Sequence, residues 1–180
     1  VTDYAAAQAI VGQAAEALGG LDGVIANSGI AMSSKVGKGH FDDDKRIIET
    51  NLTGAIATLD AATALFRQQG HGHLVALASV AGKVGLPANA GYSASKFGLI
   101  GYVRTLQAEL AGKPIHATLL LPGFIDTPIN RSMQKRPFVI DVEKGAALIA
   151  DHIDNKRSFA YVPGRPWALL TPLPSLLPPR

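Results

Sequence analysis

Residues 73–79 read HLVALAS, a run of aliphatic side chains that follows a glycine turn and ends at a serine. A continuous apolar run of this length is typical of a strand buried on both faces of a parallel sheet, so we predict a strand over residues 73–78. Other runs of the same kind predict three more strands. These cover residues 22–26, 115–121 and 159–162.

Long stretches with helical periodicity alternate with these strands. Apolar residues recur there every three or four positions, as on the buried face of an amphipathic helix. The predicted helices cover residues 4–18, 42–69, 92–110 and 141–152. Asn51 and Gly54 are poor helix formers inside the second helix, so we expect a kink or break there. The alternation predicts a three-layer α/β fold, a Rossmann-like doubly wound parallel sheet.

The composition is that of one domain spanning residues 1–180. The net charge of +3 is spread without basic blocks, so no nucleic-acid partner is expected. No apolar run is long enough for a membrane span. The absence of cysteine excludes disulfides and fits a cytoplasmic protein, and the histidines lack metal-ligand spacing, so no metal site is expected. Six of the 11 prolines fall in residues 163–180, which predicts an extended tail.

Polar residues and glycines follow three of the strands at their carboxyl ends. Asn-Ser-Gly at 27–29 ends the first strand, Ser79 the second, and Pro-Gly at 122–123 the third. The carboxyl ends of parallel strands lie at one edge of a sheet, and ligands bind beyond that edge. We therefore expect these residues to meet at a single crevice.

Tyr92 and Lys96 could supply acid–base chemistry at this crevice. They are four residues apart at the start of a predicted helix, so their side chains share one face. An ammonium about 4 Å from a phenol, at an effective dielectric near 20, would favour the phenolate by about 4 kcal/mol, or about three pKa units. We therefore expect Lys96 to lower the pKa of Tyr92 toward neutrality. Ser79 could hydrogen-bond to the same substrate oxygen. The alternative is a chance pair on an exposed helix face.

Five short motifs occur in a definite order along the chain. YSASK at 92–96 begins 13 residues after Ser79, NSG and NLTG (51–54) come before it, and PG followed by Thr127 comes after it. In this order and spacing, residues 1 to about 162 resemble the classical short-chain dehydrogenase/reductase family. The resemblance implies an oxidoreductase that transfers hydride between NAD or NADP and a small-molecule carbonyl or secondary alcohol.

The resemblance also implies a role for individual residues. Tyr92 would be the general acid in reduction and the base in oxidation, and Lys96 would lower its pKa and hold the nicotinamide ribose. Ser79 would orient the substrate oxygen and stabilise its developing charge. Asn51 would hold a water that relays protons from Lys96. Beside Tyr92 and Lys96, the implied cofactor contacts are Asn27, Ser28, Gly29, Pro122, Gly123, Ile125 and Thr127.

The family's opening motif does not occur in this sequence. That motif, roughly Thr-Gly-x-x-x-Gly-x-Gly, places the cofactor pyrophosphate at a helix N-terminus. The chain starts at Val1, and its first methionine is Met32. We therefore expect about 60 further residues, with the first strands of the sheet, to precede it. Without them the strand at 22–26 would have an unpaired apolar edge. The choice between NAD and NADP stays open.

Other functions and partners also stay open. Epimerases and dehydratases of the extended branch use Tyr-x-x-x-Lys too, although the short C-terminal region argues against them. A non-catalytic relative or fragment that acts by binding or oligomerisation is a further alternative. The resemblance implies a homodimer or homotetramer built on the two long helices. Arg131, Lys135 and Arg136 could attract an anionic substrate, but we favour a solvated part of a lid over residues 127–138.

Overall fold

Four parallel strands form the central sheet. They are β1 (Gly23–Ala26), β2 (Gly72–Leu77), β3 (Ile115–Pro122) and β4 (Phe159–Val162), and they lie side by side in sequence order. The structure, a computed structural model, describes residues 1–131, 133 and 135–171. A helix lies in each connection between neighbouring strands, as parallel pairing requires. The predicted α/β fold with a parallel sheet is confirmed.

The helices follow the predicted alternation closely. Their bounds are α1 (Tyr4–Leu18), α2 (Phe41–Ile48), a π-helix (Glu49–Thr53), α3 (Gly54–Gln69), a 3₁₀ turn (Val80–Gly82), α4 (Ala90–Glu109), α5 (Val142–Asp154) and α6 (Gly164–Leu170). Asp3 begins α1 by accepting a hydrogen bond from the Ala6 N–H, and Gly19 ends that helix at a φ of 73°.

Side chains of β2 and β3 alternate between two apolar layers. Leu74 and Leu119 belong to the larger layer, which α1, α3 and α4 cover. Val75 and Leu120 point to the opposite face, where α5 covers them through Ile149 and Ile153. Burial of one such leucine stabilises the fold by about 2 kcal/mol. Helices therefore cover both faces of the sheet, which gives the three layers expected of a Rossmann-like fold.

The predicted break in the long second helix is a π-helix. Between α2 and α3 the backbone widens by one residue per turn, and the Gly54 N–H donates to the Glu49 carbonyl. Asn51 lies in this segment and is fully buried. The widened turn points the Asn51 side chain at the sheet edge, where the first strand ends.

Strand β1 has β2 as its one neighbour within the described part of the chain. Ile25 on β1 is 52% exposed and Ile10 on α1 is 58% exposed, and both border an open apolar depression. The expected unpaired apolar edge is thus present.

The predicted extended tail is wrong over its first part. Instead, α6 covers Gly164–Leu170 and buries Trp167, which is 8% exposed. The indole packs against Phe124 and Phe138, with ring centroids 6.1 and 5.8 Å away. Burial of this aromatic ring favours a compact segment over an extended one. The rest of the predicted tail, residues 172–180, lies outside the described residues.

Candidate active site

The carboxyl ends of β1, β2 and β3 open into one cavity of about 480 Å³. Nine of the residues singled out from the sequence line it. They are Asn27, Gly29, Ser79, Tyr92, Lys96, Pro122, Gly123, Ile125 and Thr127. Ser28 instead faces the neighbouring depression beside α1, and Asn51 lies buried behind the cavity wall. The convergence expected from parallel strands is therefore observed.

Lys96 is held in place by a hydrogen bond to the backbone of β2. Its Nζ donates a hydrogen bond to the Leu77 carbonyl at 2.9 Å, and only 4% of the residue is exposed. Burial of the ammonium lowers the pKa of Lys96 to about 8. An ammonium has three N–H donors, so two remain for other partners at the cavity.

Tyr92 lies one turn before Lys96 on α4, as the spacing predicts, with Nζ 5.7 Å from the centroid of its ring. Burial raises the pKa of the Tyr92 phenol above its usual value, and the nearby Ser79 hydroxyl opposes this only in part. The expected lowering of this pKa by Lys96 is therefore not seen. The physical reason is that the cavity wall removes water from the phenolate, while Lys96 points at the Leu77 carbonyl.

Ser79 is positioned by the end of β2. Its Oγ accepts a hydrogen bond from the Ala81 N–H at 3.1 Å and donates to the Pro122 carbonyl at 3.4 Å. The first bond begins the 3₁₀ turn, and the second reaches the end of β3. The hydroxyl is thus held at the cavity wall beside Tyr92.

The Asn51 amide binds the backbone of Ile30 in both directions. Its Oδ1 accepts from the Ile30 N–H and its Nδ2 donates to the Ile30 carbonyl, both at 2.8 Å, and Nδ2 also lies 3.3 Å from Ser95 Oγ. This holds the turn that follows β1 against α4. A Cβ built on Gly29 would lie 3.5 Å from Asn51 Oδ1 and 3.7 Å from Lys96 Nζ, so the turn contacts both.

Gly123 and Trp167 fit together at the end of β3. The Gly123 N–H donates to the Val162 carbonyl at 2.9 Å. A Cβ on Gly123 would lie 2.1 Å from Trp167 Nε1, so glycine is required at this position. Sequence reasoning missed the role of Trp167. Trp167 is the one tryptophan in the sequence, and this was the feature that could have drawn attention to it.

Ion pairs and hydrogen bonds link the predicted lid to Asp126, the residue just before it. Arg136 Nη1 lies 2.5 Å from Asp126 Oδ1 and 3.2 Å from Asn130 Oδ1, and Arg131 Nε lies 3.6 Å from the same Asp126 oxygen. The hydrogen bond from Arg136 and the two guanidinium charges hold the pKa of Asp126 below its usual value. Lys135 is exposed.

Asp44 was not singled out from the sequence. Its Oδ1 accepts from the Ser34 Oγ at 2.5 Å and from the Gly91 N–H at 3.0 Å. This carboxylate joins the loop that precedes α2 to the first turn of α4, which carries Tyr92. No local pattern marks Asp44, because these partners are 10 and 47 residues away in the chain.

No group of three or more histidine, cysteine or acidic side chains is arranged to hold a metal ion in residues 1–131, 133 and 135–171. In the same ranges, no helix combines the length and the apolar character needed to cross a membrane.

Comparison with known proteins agrees with this geometry. The family model for short chain dehydrogenases matches residues 1–137. An oxidoreductase of Mycobacterium tuberculosis, itself uncharacterized, is 35% identical over 181 residues, which cover all of this chain and 72% of the relative. The chain therefore belongs to the short-chain dehydrogenase family and is an oxidoreductase of that family.

Relatives with named reactions are similar over smaller shares. The NAD-dependent 2-dehydro-3-deoxy-L-rhamnonate dehydrogenase of a Sphingomonas strain is 39% identical over 130 residues, 72% of this chain and 52% of that protein. The 3-oxoacyl-acyl-carrier-protein reductase of Escherichia coli is 29% identical over 173 residues, 91% of this chain and 71% of that protein. Their names differ in substrate but agree on oxidoreduction.

Proposed function

We propose that this protein transfers hydride between NAD or NADP and a carbonyl or secondary alcohol, with Tyr92 as general acid and base. One observation carries the proposal: Tyr92, Ser79 and Lys96 line the same cavity at the carboxyl edge of the sheet.

In the reducing direction, Tyr92 donates its hydroxyl proton to the substrate oxygen. Its raised pKa keeps the phenol protonated, which suits the role of acid. Ser79 Oγ hydrogen-bonds to the same oxygen and stabilises its developing charge. In the oxidising direction, the Tyr92 phenolate accepts the proton, with Lys96 Nζ 5.7 Å from the centroid of its ring.

The cavity residues fit the nicotinamide end of the cofactor, which supplies or accepts the hydride when bound. Lys96 has two N–H donors besides the one that the Leu77 carbonyl accepts, enough for the two ribose hydroxyls. The proposed neighbours of the cofactor are Asn27, Ser28, Gly29, Pro122, Gly123, Ile125 and Thr127.

Asn51 is proposed to support proton relay from Lys96. Its amide is held by Ile30, and the Gly29 position lies between this amide and Lys96 Nζ, within contact distance of both. We also propose a homodimer or homotetramer in the cytoplasm. Phe97 on α4, 46% exposed, supports an oligomeric contact of that helix, and the absence of cysteine supports the location.

The test uses the protein at its full natural length, a set of ketones, and NADH or NADPH. Absorbance of the reduced nicotinamide gives the rate, and nicotinamide fluorescence gives cofactor binding. Tyr92→Phe should keep cofactor binding and lose about 10³-fold in kcat, because it removes the transferred proton. Tyr102→Phe, on the same helix but outside the cavity, is the matched control. Equal rates for Tyr92→Phe and the native protein would overturn the role of Tyr92, and the absence of cofactor binding would overturn the function.

A further inference from the structure

The cavity that Tyr92 and Ser79 line is walled mainly by apolar side chains. These include Ala31, Leu86, Phe124, Ile129, Met133 and Val142. They come from four separate segments of the chain, so the apolar character is a property of the assembled wall. Among the described residues that line the whole cavity, Lys96 is the one with a charged side chain.

The two arginines of the lid contact an aspartate that does not line the cavity. Arg131 and Arg136 both lie against Asp126, and they share its single carboxylate. Neither arginine lines the cavity. The sequence had left an anionic substrate open on the strength of Arg131, Lys135 and Arg136. The structure pairs the two arginines with Asp126, and Lys135 is exposed and does not line the cavity.

Two polar side chains of the cavity wall, Asn130 and Asn89, already form hydrogen bonds within the protein. Asn130 Nδ2 donates to the Ile125 carbonyl at 2.7 Å, while its Oδ1 accepts from Arg136. Asn89 Nδ2 donates to the Pro87 carbonyl at 3.0 Å. A carboxylate or phosphate in this cavity would meet one cationic side chain among the described residues, Lys96, which already donates to the Leu77 carbonyl. An anion held against the apolar side chains would therefore lose water with little compensation, which is unfavourable.

We infer that the substrate of this site is an uncharged carbonyl compound, or the matching alcohol, with an apolar chain or ring next to the reacting carbon. This inference rests on the proposed function, since it takes the reacting oxygen to lie between Tyr92 and Ser79. In reduction, the nicotinamide hydride adds to the carbonyl carbon and the Tyr92 proton adds to the oxygen, which yields the alcohol and the oxidised cofactor.

Three matched compounds test the inference on the full-length protein. They are 2-octanone, 7-oxooctanoate and the methyl ester of 7-oxooctanoate, which share one ketone and one chain. We expect kcat/KM for the ketone and the ester to exceed that for the carboxylate by about 100-fold, since only the carboxylate loses charge solvation. The ester controls for size. A carboxylate turned over as well as its ester would overturn the inference while leaving the proposed function intact.

A variant should reverse the preference. Ile129 lines the cavity and is 40% exposed, so a longer side chain fits there without refolding the core. Ile129→Lys should raise kcat/KM for the carboxylate about 10-fold relative to the ester, and Ile129→Leu should leave the ratio unchanged. An unchanged ratio in Ile129→Lys counts against an apolar wall at this place.

Binding gives a readout that does not require turnover. Trp167 is the one tryptophan, and it contacts Phe124 of the cavity wall, so its fluorescence should respond to occupancy. The proposed function fails if the protein binds neither NADH nor NADPH and reduces no ketone of the wider set, whatever these three compounds show. The inference still stands if the ketone and ester change this fluorescence at lower concentration than the carboxylate. It falls if the carboxylate binds equally or more tightly, or if none of them binds.

Discussion

The ammonium of Lys96 donates to the Leu77 carbonyl, 2.9 Å away, and so is fixed by the backbone of β2. A carbonyl is a weaker partner for a buried cation than a carboxylate, and burial therefore dominates the pKa of Lys96. The lysine is held in place and at the same time poised to lose its proton near pH 8.

Stability should therefore rise with pH on the alkaline side of neutrality. The pKa of Lys96 is about 8 in the folded protein and near 10.5 in an unfolded chain, so between these values the unfolded state binds more protons. The free energy of unfolding should increase by about 2 kcal/mol from pH 8 to pH 10. Above pH 10 the raised pKa of Tyr92 acts in the opposite direction.

Urea unfolding of Lys96→Met and of the native protein, measured from pH 7 to 10, tests the predicted rise in unfolding free energy. The variant should lose the rise in unfolding free energy, because it has no proton to release. Lys45→Met, an exposed lysine 3.9 Å from Glu49, should keep the rise and serves as control. If the unfolding free energies of Lys96→Met and the native protein change with pH in parallel, the pKa of Lys96 is not lowered by burial.

Asn51→Ala should destabilise the fold by about 2–4 kcal/mol. The substitution leaves the Ile30 N–H and carbonyl without their partner in a partly buried place. Asn155→Ala, which removes an exposed amide that binds Asp151, should cost below about 1 kcal/mol. Urea midpoints of the two variants compare them directly. Similar losses would mean that the Asn51 bonds are not what holds the turn after β1.

Asp44→Ala should lower stability by about 1–3 kcal/mol, since Ser34 Oγ and the Gly91 N–H then lack an acceptor. Because Gly91 precedes Tyr92, kcat should fall more than KM changes. Asp44→Asn keeps an acceptor oxygen and should recover most of both losses. Asp42→Ala, on the exposed side of α2, should change neither. A stable Asp44→Ala protein with native kcat would show that this carboxylate does not position α4.

Gly123→Ala should displace Trp167. The new Cβ would lie 2.1 Å from Nε1 and 2.3 Å from Cε2 of the indole, far inside contact distance. The tryptophan emission should shift to longer wavelength as the indole becomes hydrated, and the urea midpoint should fall. Gly101→Ala, on α4 with nothing within 4 Å, should leave the emission unchanged and stabilise the helix slightly. An unshifted spectrum in Gly123→Ala would mean that the backbone, rather than Trp167, adjusts.

Sequence reasoning located the main elements and the shared edge because these depend on local signals. Apolar runs and helical periodicity mark the strands and helices, and the rules of parallel sheets place Ser79, Tyr92 and Lys96 together. Asn51 and Gly54 correctly predicted an interruption, although its form as a π-helix depends on the pairing of Asn51 with Ile30.

The properties that depend on long-range packing could not be predicted in the same way. The direction of the Tyr92 pKa shift follows from the water that the surrounding wall removes, and not from its spacing to Lys96. The helix α6 forms where an extended tail was expected, because Trp167 finds a place beside Gly123, 44 residues earlier in the chain.

Taken by itself, the sequence determined the order of helices and strands, the parallel sheet, and the presence of Tyr92, Lys96, Ser79 and Asn51 near one edge. These follow from periodicity and from the geometry of a single helical turn. Only the tertiary structure decided that Lys96 faces the Leu77 carbonyl, that both lid arginines pair with Asp126, and that the cavity wall is mainly apolar. Those outcomes depend on which distant side chains exclude water from a given group, and no local pattern records that.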